Sequence, residues 1–319
     1  MLFQEENKIK MNIKNEYKNF VLSYEPFPWE IDKNETRNSY INQHTFEINY
    51  MRFFYVFKKL KEIKNTIKTP RILDIGSYPG NMIKMCEYVF NKYSNFISLG
   101  LDLDEIFISE VKRFNVDCIN TEIDPKFPYA KEVKEWNLKD FDICLLLDTV
   151  EHLVNPVYCF DNANKSLKNR GYLILTTDNI TNFLYVLKML IRGESPNIKF
   201  ILSSLFYIGN HRPHHREFSK EELFFLLEYS GFKILNHEYF NREQGNYCII
   251  EKRIVKKKSF NLKELVKNFI SFFFNLVPHL RNHQIIVAQK VKEIKEIERF
   301  QPTISKKKWL EYRLNSLGY

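Results

Sequence analysis

Two carboxylates and two glycines frame the chemistry open to this chain. Asp74 stands two residues before Gly76 in the run Arg71-Ile72-Leu73-Asp74-Ile75-Gly76-Ser77-Tyr78-Pro79-Gly80-Asn81, and Asp102 closes Gly100-Leu101-Asp102. The first run reads as a buried strand, a tight glycine-bearing turn and the start of a helix. That layout brings backbone N–H groups and a helix N-terminus against a ligand. Its spacing, Gly76-x-x-x-Gly80, is not the G-x-G-x-x-G fingerprint of a dinucleotide site. An acid beside the turn repels a pyrophosphate and suits a cation; an acid at the next strand end can accept both hydroxyls of a ribose. Singly, the glycines fit ordinary left-handed turns and Asp102 an ordinary strand cap. Together, between strands and a helix, they suit a nucleoside that carries an ammonium or sulfonium group.

These residues need a scaffold, and the hydrophobic pattern supplies one. Residues 1–42 are polar, with Pro26 and Pro28 as helix breakers, and read as an extended lead-in. Phe46, Tyr50, Phe53, Phe54, Phe57 and Leu60 then recur at helical spacing. From Arg71 strands and helices alternate: strands over 71–75, 96–102, 116–120, 141–148 and 171–177, with helices from about 81 to 93, 105 to 114 and 154 to 167. The unbroken run Ile143-Cys144-Leu145-Leu146-Leu147 belongs to a strand covered on both faces. Ser219-Lys220-Glu221-Glu222 is a capping box for a helix ending at Gly231, and strands follow over 232–240 and 284–290. The order predicts an α/β fold: a Rossmann-like, seven-stranded, mostly parallel, doubly wound sheet. The expected organisation is an N-terminal extension (1–69), a core (70–243), a basic and aromatic helical insertion (244–282), the last core strand (283–290) and a charged tail (291–319).

Composition narrows the surroundings. The chain has 319 residues, 44% of them hydrophobic and 15% aromatic, enough for a sizeable core. Its net charge of +9 favours anionic partners. Cys86, Cys118, Cys144, Cys159 and Cys248 are scattered without zinc spacing, which suits free thiols in a reducing cytoplasm. The N-terminus lacks a signal-peptide layout, and no apolar run approaches the roughly 20 residues that span a bilayer. Lys252 to Lys258 followed by Phe269 to Pro278 invites peripheral contact with an acidic membrane face, weighed against a helix packed on the sheet edge or in a homo-oligomer. Lys306-Lys307-Lys308-Trp309 reads as a solvated face, with no stacking platform for nucleic acid.

S-adenosylmethionine fits the acid pair, and on these segments the chain resembles the class I S-adenosylmethionine-dependent methyltransferases, in particular the glycan and polysaccharide biosynthesis branch. The matching runs are RILDIGSYPGN, LGLDLDE, INTEIDPKFPY, FDICLLLDTVEHLVNP, LKNRGYLILTTDNITN and HHREFSKEELFFLLEYSGF, in family order over about half the chain. The resemblance implies that Asp74, Gly76 and Gly80 hold the methionine part of the cofactor, that Asp102 takes the ribose and that Asn120 and Glu122 lie near the adenine. It places Asp148 at the mouth of the site. Tyr78 replaces the usual middle glycine and brings an aromatic ring beside the cofactor, where it can attract a sulfonium or fill space. Asp178-Asn179 stands where relatives more usually have Pro-Asn, and LKNRG where a Pro-Gly-Gly turn is common.

Methyl transfer from a sulfonium is an in-line displacement that rests on positioning. Attack by a sugar hydroxyl also needs a proton acceptor. The candidates are Asp148, Glu151, His152, His211, His214 and His215. Gly209 to Glu217 carries three histidines and two arginines before a helix, as an active-site lid would, and His214 is the expected base with His152 and Asp148 beside it. His152 serves equally well as a scaffold residue. Asp148 with Asp178-Asn179 offers a minority alternative, an all-oxygen Mg²⁺ site. Asn155-Pro156-Val157-Tyr158 lacks the second proline and the strand-end position of an amino-methyltransferase motif, which weighs against DNA base methylation. The expectation is therefore an O-methyltransferase acting on a saccharide, a nucleotide-sugar or a lipid-linked glycan, in the cytoplasm or at the inner face of the membrane. The alternatives are an RNA or protein methyltransferase docked through basic surface, and a non-catalytic cofactor-binding module.

Overall fold

Strand β1 (Ile72–Ile75) is buried at all four positions, which requires cover on both faces of the sheet it founds. A computed structural model describes residues 2–26, 36–40, 49–76, 80–91, 96–100, 117–120, 123–124, 136–195, 214–241, 247–250, 253–256 and 276–294. For 2–11, 38, 40, 96–100, 120, 247–250 and 253–256 it describes the backbone alone. Tyr78, Asp102, Glu122, His211, the expected helix over 105–114, most of the aromatic run before Pro278 and Lys306 to Trp309 lie outside the described residues.

The other strands are β2 (Phe96–Gly100), β3 (Asp117–Asn120), β4 (Phe141–Leu147), β5 (Leu167–Asp178), β6 (Phe232–Phe240) and β9 (His283–Lys290). They form a seven-stranded sheet in the order β3-β2-β1-β4-β5-β9-β6. β1 to β5 run parallel, and β9 is antiparallel to both β5 and β6. Period-two alternation divides the core into two layers. Ile72, Ile143, Leu145, Ile174, Ile285 and Val287 face one way; Leu73, Ile75, Cys144, Leu146, Leu173, Leu175 and Ile286 face the other. The first layer is closed by α1 (Leu2–Ser23), α3 (Tyr50–Lys64) and α4 (Asn81–Phe90), the second by α5 (Pro156–Ser166) and α7 (Lys220–Tyr229); α2 (Arg37–Tyr40) is a single turn.

Three expectations change here. Residues 2–23 form a helix, not an extended lead-in. Tyr17, Phe20, Val21 and Tyr24, spaced i, i+3, i+4, i+7, are buried against α3 and α4, and the Tyr17 hydroxyl donates to the Tyr50 carbonyl at 3.0 Å. Each such ring buried is worth roughly 1.5–3 kcal/mol, which outweighs the polar residues around the stripe. The insertion opens on a hairpin, β7 (Tyr247–Ile250) paired antiparallel with β8 (Arg253–Lys256), where a helix was expected. The β-branched residues Ile249, Ile250, Ile254 and Val255 favour strands. An unforeseen helix, α6 (Phe183–Arg192), follows β5; Asn182 caps it by accepting from the Tyr185 N–H, and Gly193 ends it at φ 65°. The capping box at Ser219 and Glu222 is formed as read, with both reciprocal bonds present.

Candidate active site

The carboxyl ends of the parallel strands converge on one edge, where open α/β sheets take their ligands. Asp74 is the penultimate residue of β1 there. It is 1% exposed, and its Oδ2 has no hydrogen-bond partner among the described residues. Burial drives its carboxyl up to about 7, against the pull of the Arg52 guanidinium. Gly76 follows at φ +76°, and a Cβ on it would lie 2.6 Å from Thr149 Oγ1. That hydroxyl donates toward the carbonyls of Ile75 (3.3 Å) and Leu147 (3.1 Å), tying the ends of β1 and β4 together. Gly80, at φ 108°, is the N-cap of α4 and offers it no side-chain cap. An orphaned carboxylate oxygen beside a turn with no room for a side chain fits a ligand with a cationic head. Asn120 closes β3 opposite Gly100.

The second half of the site is gathered from separate segments. Asp148 ends β4 in a left-handed conformation (φ 47°), a strain of order 1–3 kcal/mol. Its N–H donates to the Thr176 carbonyl at 2.9 Å, its Oδ1 accepts from the Thr176 hydroxyl at 2.8 Å, and its Oδ2 accepts from the Arg52 guanidinium delivered by α3. His283 opens β9 directly across from Asp178, the last residue of β5. The His283 ring is 0% exposed; Nε2 lies 2.8 Å from Asp148 Oδ1 and Nδ1 2.8 Å from Asp178 Oδ1. Burial alone would lower its pKa, but the two carboxylates carry it up to about 9.

His214 sits beside this group. Its Nδ1 is 3.6 Å from Asp178 Oδ2 and 3.9 Å from Glu217 Oε1, and its ring meets His152 edge-on with centroids 4.6 Å apart. Burial opposes its protonation, yet Glu217, Glu151 and Asp178 together raise its pKa above the ordinary value. Glu151 is buried and accepts from the Thr177 hydroxyl at 2.8 Å. Desolvation, then the charges of Asp148 and Asp178, push its carboxyl up to about 8. Its carbonyl also accepts from the His215 N–H at 2.7 Å, which fixes the segment carrying His214. Glu217 is buried, and its Oε1 accepts from the Tyr185 hydroxyl of α6 at 2.9 Å.

The structure thus joins Asp148, Glu151, His152 and His214 in one corner, and adds Arg52, Asp178, Glu217, Tyr185 and His283 to it. It reassigns the oxygens read as a Mg²⁺ set. Both Asp148 oxygens and Asp178 Oδ1 are taken by Arg52, Thr176 and His283. Asn179 donates to the carbonyls of His279 (2.8 Å) and Arg281 (2.7 Å) and accepts from Thr181, so it ties β5 to the turn before β9. Asp148 and Asn179 are thus engaged by protein groups, whereas Asp178 groups instead with His214 and Glu217, whose ligand atoms lie within 4.8 Å of one another, close enough to hold a metal ion. His283 was missed because it looked like the residue before a strand; only the β5–β9 register brings it opposite Asp178.

Comparison with known proteins agrees with the geometry. The family model described as "Methyltransferase domain" matches residues 48–237. The ubiquinone biosynthesis O-methyltransferase of Rickettsia bellii is 29% identical over 145 residues, covering 44% of this chain and 55% of that protein. The probable polyketide synthase 42 of Dictyostelium discoideum is 26% identical over 172 residues, covering 47% of this chain and 6% of that protein. This chain therefore spans about half the length of the Rickettsia relative. A solved S-adenosylmethionine-dependent methyltransferase from Archaeoglobus fulgidus superposes with a TM-score of 0.44 at 19% identity, over 75% of this chain and 94% of that one. The family match covers more than half of the chain and encloses Asp74, Gly76, Gly80, Asp148 and His214: the chain belongs to the methyltransferase-domain family, and S-adenosylmethionine is its cofactor.

Proposed function

We propose that the chain O-methylates a hydroxyl of a saccharide acceptor (a free or nucleotide-linked sugar, or a lipid-linked glycan), with His214 as the general base. The observation that carries this reading is the setting of His214 between Asp178 and Glu217, one strand end away from the Asp74–Gly76 turn. S-adenosylmethionine supplies a methyl group made electrophilic by its sulfonium. Asp74 receives the cationic head of that cofactor in the cradle closed by Thr149. His214 turns Nδ1 toward the two carboxylates, and Nε2 is the atom assigned to the acceptor's proton. With the cofactor and acceptor bound, His214 would take up the acceptor's proton as the methyl group moves from sulfur to oxygen, and Asp178 and Glu217 would offset its charge. Proton removal of this kind contributes roughly 10²–10⁴ in rate. Glu151, His152 and Tyr185 line the same corner with groups able to hydrogen-bond a polyol.

Support for oxygen as the acceptor atom comes from this proton-accepting corner and from the name of the Rickettsia relative. Support for a sugar comes from the ordered resemblance of its motifs to the glycan branch. The test is transfer of labelled methyl from S-adenosylmethionine by the full chain, with saccharides, nucleotide-sugars, lipid-linked glycans, a dihydroxybenzene and RNA offered in parallel. The expected result is label on a saccharide oxygen. Label on the phenol or RNA alone, or cofactor binding without transfer to any of them, overturns the reading.

A further inference from the structure

The corner contains one fully buried ring that the proposed chemistry does not use. His283 has a carboxylate oxygen at hydrogen-bond distance from each ring nitrogen: Asp148 Oδ1 and Asp178 Oδ1, both at 2.8 Å. A neutral imidazole has one N–H and one lone pair. With a neutral ring, one of the two contacts would set a lone pair against a carboxylate oxygen. The group must therefore hold a second proton, either on the ring or on one of the carboxyls.

The surroundings decide where that proton sits. From α3, the Arg52 guanidinium donates to Asp148 Oδ2; from β5, the Thr176 hydroxyl donates to Asp148 Oδ1. Both stabilise Asp148 as an anion. Asp178 has its other oxygen 3.6 Å from His214 Nδ1. On β6, the residue opposite His283 is Phe240, whose ring lies 5.0 Å away and offers neither charge nor hydrogen bond. An imidazole is intrinsically more basic than a carboxylate by about 2.5 pKa units, so in this anionic setting the proton belongs to the ring.

We propose that His283 is a positioning residue for methyl transfer: an imidazolium at neutral pH that serves as the site's own cation and holds Asp148 and Asp178 as oriented anions. It acts through its partners. By engaging Asp178 Oδ1 it turns Oδ2 toward His214, and by engaging Asp148 Oδ1 it leaves Oδ2 to Arg52, which docks the N-terminal helix α3 against the end of β4. Asp148 is thereby excluded as a base, because both its oxygens serve cations. The same clamp shows what β9 brings to the site, since that strand returns after the insertion with His283 as its first residue.

This inference rests on the reading of His214 as the base only for its kinetic consequence, and the test separates the two. The first measurement is the ¹⁵N spectrum of the full chain labelled at histidine, with the His283 signals assigned by their loss in His283→Gln. Both ring nitrogens are expected in the protonated range at pH 7.5, and a neutral tautomer at that pH overturns the proposal whether or not any methyl acceptor is known. The second uses Asp178→Asn, which keeps the shape of the pair if His283→Gln does not fold. His283 is then expected to lose its proton at a pH at least one unit lower, and an unshifted titration also overturns the proposal. The third is kinetic. His283→Gln is expected to lower kcat at least tenfold and to displace the rising limb of its pH profile, with the affinity for S-adenosylmethionine unchanged within twofold. An unmoved profile removes the positioning role, even where the spectrum shows the ring protonated.

Discussion

The two halves of the site are built in opposite ways. The cradle at Asp74, Gly76 and Gly80 is carried by β1, the turn after it and α4, and among the described residues Thr149 and Arg52 act on it from outside. The corner at Asp148, Asp178, His214 and His283 draws on β4, β5, the segment before α7, β9 and the helix that carries Arg52. A local turn can keep its shape while the rest of a chain changes. A corner held by register depends on the whole sheet. On the proposed function, binding of a common cofactor belongs to the first, and choice of acceptor and handling of its proton belong to the second.

Changes that touch only one half test this division. The largest effect is expected at His214. His214→Gln should lower kcat by roughly 10²–10⁴ and leave the affinity for S-adenosylmethionine alone, as read by steady-state kinetics beside binding titration. The wild-type profile should rise with pH through an apparent pKa above about 6.5, because the carboxylates around His214 hold its proton. Gly76→Ala comes next. It places a Cβ at φ +76° and 2.6 Å from Thr149 Oγ1, so a loss of about 1–3 kcal/mol in denaturant unfolding is expected, together with weaker cofactor binding.

The smallest effect is a drift of stability with pH. Asp74, Glu151 and His283 all have folded-state pKa values raised above those of the unfolded chain, to about 7, about 8 and about 9. A raised value means the folded state keeps a proton that the unfolded state releases, so the favourable contribution is complete below the unfolded pKa and disappears as pH climbs through the folded one. The contribution of these three groups to the unfolding midpoint should therefore fall from about pH 4 to about pH 9, and the portion lost nearest pH 9 should vanish in His283→Gln.

The strand into the Gly76 turn and most of the sheet could be read along the chain because their signals are local: the run Ile143 to Leu147 reads as a covered strand, and Gly76 takes the positive φ its turn needs. The helix of residues 2–23 escaped notice because Tyr17, Phe20, Val21 and Tyr24 are set among lysines and glutamates, and the helix becomes favourable only when α3 and α4 cover that stripe. His283 and Arg52 could not be read at all. One depends on β9 entering between β5 and β6 in a particular register, and the other on where a helix docks; neither is written in neighbouring residues. Nor could the contact of Asp178 Oδ1 with His283 be read, since the two lie 105 residues apart.

The separation of the two halves is the central claim, and calorimetric titration of S-adenosylmethionine into the wild-type chain, Asp74→Asn and His214→Gln tests it most directly. The wild type should bind more tightly as pH rises through about 7, when Asp74 ionises. Asp74→Asn should bind about 10–100-fold more weakly, the equivalent of one charge-assisted hydrogen bond, and should lose that pH dependence. His214→Gln should match the wild type within about twofold, as a variant confined to the other half must. Equal binding by wild type and Asp74→Asn, or an equal loss in both variants, would contradict the account.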